Sequence, residues 1–123
     1  MSHISKIELE VNDIQALKAA CQHLGLDFKD NQQTFTWYYG QGHCAHAIKV
    51  PMARYEIGVV GKDKGYELQA DFWDQDLTRA VGQEGGLLKQ RYAVERTRRE
   101  ARRKGYRIIE KTTQTGIRLH VRL

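Results

Sequence analysis

The stretch that most limits how this chain can fold lies between Gly85-Gly86 and Gly105. It reads Lys89-Gln-Arg-Tyr-Ala-Val-Glu-Arg-Thr-Arg-Arg-Glu-Ala-Arg-Arg-Lys104 and holds eight Lys/Arg against two Glu, a net charge of +6 where the whole chain carries +5. The basic character is therefore one local element on a nearly neutral background. Its residues favour a helix from about Leu87 to Lys104, closed by Gly105. Leu87, Val94 and Ala101 recur at i, i+7 and i+14, Thr97 lies near their line, and Leu88 and Tyr92 widen the apolar side. So thin a stripe predicts a helix on a sheet edge or surface, not deep in a core. Most of the core must come from other parts of the chain.

Those other parts read mainly as strands. Residues 3–11 alternate, with Ser5, Ile7, Leu9 and Val11 on one side and Lys6, Glu8 and Glu10 on the other. Asn12 then sits as a helix N-cap with Gln15 three residues on, a capping-box spacing. Ile14, Leu17, Cys21 and Leu24 follow at helical spacing before Gly25, which predicts a helix over 13–24. Strands are expected over 34–39, 44–50 and 55–60, with a turn at 40–42 and a hairpin loop at 61–65. Residues 66–73 alternate cleanly. Asp74 or Asp76 caps a short helical turn through Val81. Two last strands, 106–111 and 117–123, flank a loop at 112–116.

This order predicts an α+β fold: a single mainly antiparallel sheet with two helices on one face, in β-α-β-meander-α-β-β order, over one domain spanning 1–123. The opposite sheet face would carry Lys6, Glu8, Glu10, Glu67, Asp71, Arg118, His120 and Arg122. It is either a solvated surface or a docking face. A hydrophobic content of 41%, 28% charged residues and a single proline fit a folded domain, not a disordered linker. No run approaches the roughly 18 apolar residues of a membrane span. The N-terminus lacks a secretory pattern, so a cytoplasmic setting with Cys21 and Cys44 as free thiols is expected.

Several segments together resemble a known family. They are Met1-Ser-His-Ile-Ser-Lys-Ile7, Asp13-Ile-Gln-Ala-Leu-Lys-Ala-Ala20, Gly65-Tyr-Glu-Leu-Gln-Ala-Asp-Phe-Trp73, Gln90-Arg-Tyr-Ala93 and Ala101-Arg-Arg-Lys-Gly-Tyr106. In this order they resemble the hypothetical chloroplast reading frame thirty-five family, small proteins of cyanobacteria and chloroplast genomes. The resemblance implies one compact domain from a photosynthetic lineage, with the plastid stroma as the setting of an organellar member. It implies no established activity and no catalytic residues. The charged Thr97-Arg98-Arg99 stretch and His43-Cys44-Ala45-His46 depart from the family pattern, so a function common to the family would not rest on them.

Four constellations carry chemistry. In the basic helix, Arg91, Arg98, Arg99, Arg102, Arg103 and Lys104, joined by Arg118 and Arg122 on the last strand, form a candidate surface for an acidic protein or a nucleic acid. Against this, Glu95 with Arg99 and Glu100 with Lys104 have the i,i+4 spacing of a self-paired, solvated helix. Phe35, Trp37 and Tyr39 share a strand face and suit either core packing or base stacking. Cys44 and His46 project to one side of a strand, two N/S ligands where zinc needs three or four. Asp71, Asp74 and Asp76 have a spacing that suits Mg²⁺ or ordinary capping. Gly58, Gly61, Gly65, Gly82, Gly85 and Gly86 match no phosphate or dinucleotide fingerprint, and no cofactor is expected.

The expectation is a small non-enzymatic binding or accessory protein that contacts an anionic macromolecule through its basic helix. The alternatives are a metal- or thiol-dependent enzyme centred on Cys44 and His46, and a structural subunit of an assembly.

Overall fold

A computed structural model describes residues 3–122. The main sheet has five strands: β1 (Ser5–Val11), β2 (Asp27–Lys29), β5 (His46–Lys49), β6 (Glu56–Lys62) and β7 (Gly65–Ala70). They lie in the order β1-β7-β6-β5-β2, and every neighbouring pair is antiparallel. In the chain, α1 (Ile14–His23) follows β1. A short hairpin, β3 (Thr34–Trp37) and β4 (Gly40–His43), separates β2 from β5. After β7 come α2 (Gln75–Val81), a 3-10 turn (Gln83–Gly85), α3 (Gly86–Arg103) and a C-terminal hairpin of β8 (Arg107–Thr113) and β9 (Gly116–Arg122).

The α+β class and the antiparallel sheet agree with the sequence reading, but the expected single sheet is three: β3–β4 and β8–β9 are separate two-stranded sheets. Alternation shows that residues 107–122 form strands, yet it does not name their partners. Here β8 and β9 satisfy each other and dock on α3. Leu123, the expected end of the last strand, lies outside the described residues.

Register explains the core. Ile7 faces Leu68, Leu68 faces Val59, and Ile48 faces Ile57 across neighbouring strands. These fully buried side chains meet Leu17 and Cys21 of α1, Leu77 of α2, and Leu88 and Tyr92 of α3. The apolar line expected through Leu87 runs instead through Leu88, and Leu87 is 46% exposed. Val94 and Ala101 are buried outside this cluster. They lie on the side of α3 from which Arg91 and Arg98 reach the C-terminal hairpin.

The helix caps follow the side chains available. Asp13, not Asn12, caps α1: its Oδ1 accepts the Gln15 and Ala16 amides, each at 3.1 Å. The Asn12 and Asp13 amides donate to the Tyr92 hydroxyl at 3.1 and 3.2 Å. A residue of α3 thus decides where α1 begins. Asp74 caps α2 through the Asp76 and Leu77 amides. Its Oδ2 takes the Arg54 and Tyr55 amides at 2.7 and 3.0 Å.

The second face of the sheet is the expected polar surface only toward β1 and β7, where Lys6, Glu8 and Glu10 are exposed and Lys6 pairs with Glu67 at 2.9 Å. Gly58 and Ala47 leave a shallow floor, and the β3–β4 hairpin lies over it with Phe35 fully buried. The Phe35 ring occupies the space a Cβ would need at both Gly58 and Gly42. Two buried carboxylates fasten the hairpin. Glu56 accepts the Thr36 amide at 2.9 Å and the Gln32 side chain at 3.0 Å; Asp71 accepts the Tyr38 and Trp73 amides at 3.3 and 3.0 Å. Of the residues assigned to that face, Asp71 is buried, and Arg118, His120 and Arg122 belong to the separate C-terminal hairpin.

The packing of Phe35 on Gly58 has a direct test. A Cβ at Gly58 would lie 2.4 Å from Phe35 Cδ1, whereas Gly61 on the same strand has open space. Gly58→Ala should lose about 1–3 kcal/mol, the usual cost of overpacking. Gly61→Ala should be neutral or slightly stabilising. Urea midpoints read the difference, and equal midpoints for the two variants would refute this account of the hairpin's seat.

Candidate functional site: the basic helix and its hairpin

The basic residues of α3 divide into those held by the protein's own carboxylates and those left outside. Arg91 is only 7% exposed. Its Nη1 and Nη2 donate to Glu110 of β8 at 3.1 and 2.8 Å, a two-pronged pair. Arg98 donates to the same carboxylate at 2.6 Å. Glu95, one turn from each, lies 3.8 Å from Arg91 and 3.6 Å from Arg98. Arg99 leaves this side of the helix and donates to Asp13 at 3.0 Å, so the carboxylate that caps α1 also holds α3.

Electrostatics favour ionised carboxylates here. Hydrogen bonding from Arg91 holds the Glu110 carboxyl below its usual range, aided by the charges of Arg91, Arg98 and His23 and opposed by burial. Burial pushes the Asp13 carboxyl up, but the Ala16 amide and the Arg99 bond and charge outweigh it, and the net shift is downward.

Arg91, Arg98 and Arg99, three of the eight residues expected to form the anionic-partner surface, are thus each tied to a carboxylate of the protein's own. Arg103 and Lys104 make loose contacts with Glu100 at 3.7 and 3.9 Å. The expected Glu95–Arg99 pair is replaced by contacts of Glu95 with Arg91 and Arg98. Arg102, Arg118 and Arg122 have no carboxylate partner among the described residues, and all three are exposed.

The hairpin adds two cations, Arg107 and Lys111, that lie outside the set expected from sequence. Pairing sets Arg107 opposite Arg122 and Lys111 opposite Arg118, with Ile109 opposite His120 between them. All six alternate onto one face, while Glu110 and Ile108 take the other. Two like-charge pairs directly across an antiparallel ladder are unfavourable on their own. Only the register reveals this: without β8 matched to β9, Arg107 and Lys111 are ordinary surface charges. Arg98, Arg102, Arg107 and Arg122 also line a cavity of about 380 Å³ beside Tyr106, with no acidic residue in its wall.

The other candidates are tied down more firmly. Cys44 and His46 do not share a strand, since β4 ends at His43 and β5 begins at His46. The Cys44 thiol donates to the Gln32 carbonyl at 3.2 Å, and burial pushes it up from its ordinary value, which disfavours a thiolate. His46 Nδ1 accepts the Asn31 amide at 2.9 Å, and its ring packs near Phe28 and Tyr66. Among the described residues no cluster of three or more His, Cys, Asp or Glu has metal-holding geometry. Asp71 and Asp74 accept backbone amides, and Asp76 pairs with Arg79. Of the expected aromatic face, Phe35 is buried, while Trp37 and Tyr39 meet edge to face at 5.3 Å. No helix among the described residues is long and apolar enough to cross a membrane.

Fold and surface define an α+β protein whose basic helix is clamped to an outward-charged C-terminal hairpin. The chain belongs to the family described as protein of unknown function DUF1257, which matches residues 20–121. It is 29% identical over 112 residues to a Cyanophora paradoxa protein described as uncharacterized protein ycf35, covering 89% of this chain and 86% of that protein. These findings bear out the resemblance to the reading-frame-thirty-five family. No solved structure matches the chain.

Removing the Glu110 charge should free the hairpin. Glu110→Gln leaves Arg91 buried without its main partner, so a loss of about 3 kcal/mol is expected, the lower end for breaking a buried pair. Glu110 is depressed when folded, so its contribution is complete above the unfolded carboxylate range and disappears as pH falls through the folded value. The gap between wild type and Glu110→Gln should therefore close in acid. Denaturant unfolding across pH, with amide exchange over 107–122, checks both statements. A gap that persists unchanged in acid would refute them.

Proposed function

We propose that this chain is a small non-enzymatic binding or accessory protein that holds an anionic macromolecule, a nucleic acid or an acidic protein, on the basic surface of its C-terminal third. A cytoplasm or plastid stroma is the setting that goes with this reading. The observation that carries it is the pair of like-charge rungs, Arg107 with Arg122 and Lys111 with Arg118, on one exposed face of the hairpin. Such a face repels itself, and bound anionic groups relieve the repulsion. Arg102, Arg103 and Lys104 extend the surface along the last turn of α3. In this reading Arg91 and Arg99 do not touch the partner; together with Arg98, whose Nη2 is bound to Glu110, they hold helix, hairpin and α1 in place.

The thiol-enzyme alternative loses support from the state of Cys44. Its sulfur is turned to a backbone carbonyl, and its ionisation is made harder. Nucleophilic catalysis by cysteine needs the opposite environment.

Binding to a sequence-free polyanion tests the proposal. The protein should be retained on immobilised heparin and elute as salt rises, because counterion release drives the association. Arg102→Glu with Arg122→Glu should elute at clearly lower salt while keeping the wild-type circular dichroism spectrum. Arg98 is unsuitable for this test, since its substitution disturbs Glu110 as well. Passage of the wild-type protein without retention, or co-elution of the double variant with it, would remove the proposal.

A further inference from the structure

We infer that the outer face of the β8–β9 hairpin, together with the arginine-lined cavity beside it that Tyr106 helps to line, is a docking strip for a polynucleotide strand with unpaired bases. This rests on the reading of the C-terminal surface as anion-binding and narrows it to one partner class. Three observations support it: the spacing of the charges, the groups between them, and the cavity at one end.

The face is laid out in rungs. Arg107 with Arg122 forms one cationic rung and Lys111 with Arg118 another, four residues along the strand. At about 3.4 Å per residue the rungs are roughly 14 Å apart, so they can grip separate phosphates of one strand. Ile109 with His120 lies between them, an aliphatic side chain beside one planar ring. Ile109 is 36% exposed and Tyr106, just before β8, is 39% exposed. No Asp or Glu alternates onto this face among the described residues, because Glu110 points to α3.

A peptide of acidic residues alone would use the cations but leave Ile109, His120 and Tyr106 without a matching group. A polynucleotide strand presents both chemistries at once: phosphates at intervals for the guanidinium forks, and base faces for flat side chains. A duplex hides those base faces within its stack, so an unpaired strand fits better. The cavity of about 380 Å³ lies where one end of the strip meets α3, with Ile108 and Arg98 in its wall beside Arg107 and Arg122. There Arg102, Arg107 and Arg122 are without carboxylate partners among the described residues, and Tyr106 forms part of the wall. A phosphate seated among these arginines would place its neighbouring base beside Tyr106. Tyr106 is held for this by its own backbone, whose amide donates to the Ala101 carbonyl at 2.8 Å.

Fluorescence anisotropy with labelled oligothymidylate, the same strand annealed to oligoadenylate, and polyglutamate of similar length tests the inference. Oligothymidylate should bind at least roughly tenfold tighter than the other two, the gain expected from stacking a base or more. Tyr106→Ala should weaken single-strand binding about tenfold and leave polyglutamate binding unchanged. Arg107→Gln with Arg122→Gln should lower the steepness of the log–log salt dependence by about 0.7 for each phosphate no longer neutralised. Both variants keep the backbone pairing and the buried side chains, and their circular dichroism should match wild type. Salt-steep binding of polyglutamate at equal or greater strength would overturn the inference while leaving the broader anion-binding reading intact. Preference for the duplex would do the same. Failure of all three probes to bind would overturn both.

Discussion

The Glu110 carboxylate is the point on which the C-terminal third of this protein depends. It sits between Arg91 and Arg98 and is the charged link between the helix and the hairpin. Each of the three alone would be costly to desolvate, and together they satisfy one another. Because Glu110 takes the inner face, the alternation of β8 and β9 sends Arg107, Lys111, Arg118 and Arg122 outward. One carboxylate thus turns a basic sequence into a surface with two sides: an inward one that is neutralised and an outward one that is not.

A second set of bonds ties the same helix to the opposite end of the chain. The Tyr92 hydroxyl takes the amides of Asn12 and Asp13, and Asp13 takes Arg99 while capping α1. These bonds span about eighty residues. The start of α1 and the middle of α3 are consequently one structural unit. Loss of the Tyr92 hydroxyl leaves the Asn12 and Asp13 amides unsatisfied, and loss of the Asp13 carboxylate leaves Arg99 without its partner, each of which is costly for part-buried polar groups.

Much of this architecture is legible from residue patterns, and the gaps have identifiable causes. Gly25 and Gly105 mark the ends of α1 and α3, and strict alternation marks β7 and β9. Local signals of this kind act within a few residues. The cap of α1 falls one residue later than its spacing suggests because Asn12 and Asp13 are equally good caps by type, and the choice between them rests with Tyr92, far along the chain. The hairpin over the second sheet face has no positive signal because its cause is an absence: Gly58 and Gly42 have no side chain where Phe35 must fit. At the candidate site, the charge of α3 is plain in the sequence but its division is not. Arg91 and Arg102 are the same residue type on one helix, and only the position of Glu110 on the facing strand separates the one that is buried from the one that is free. Arg107 and Lys111 gain meaning only in pairs, since a like-charge rung exists only once two strands are placed in register.

The irregularity in β1 bears on what the edge of the main sheet offers to another strand. β1 lies at the margin of the main sheet, and its pairing with β7 slips between Ile7 and Glu10. A straight margin would offer a continuous row of amides and carbonyls on which a foreign strand could extend the ladder. The slip breaks that row midway, and Lys6, Glu8 and Glu10 set charges beside it. An edge so interrupted and so charged is a poor template for a further strand.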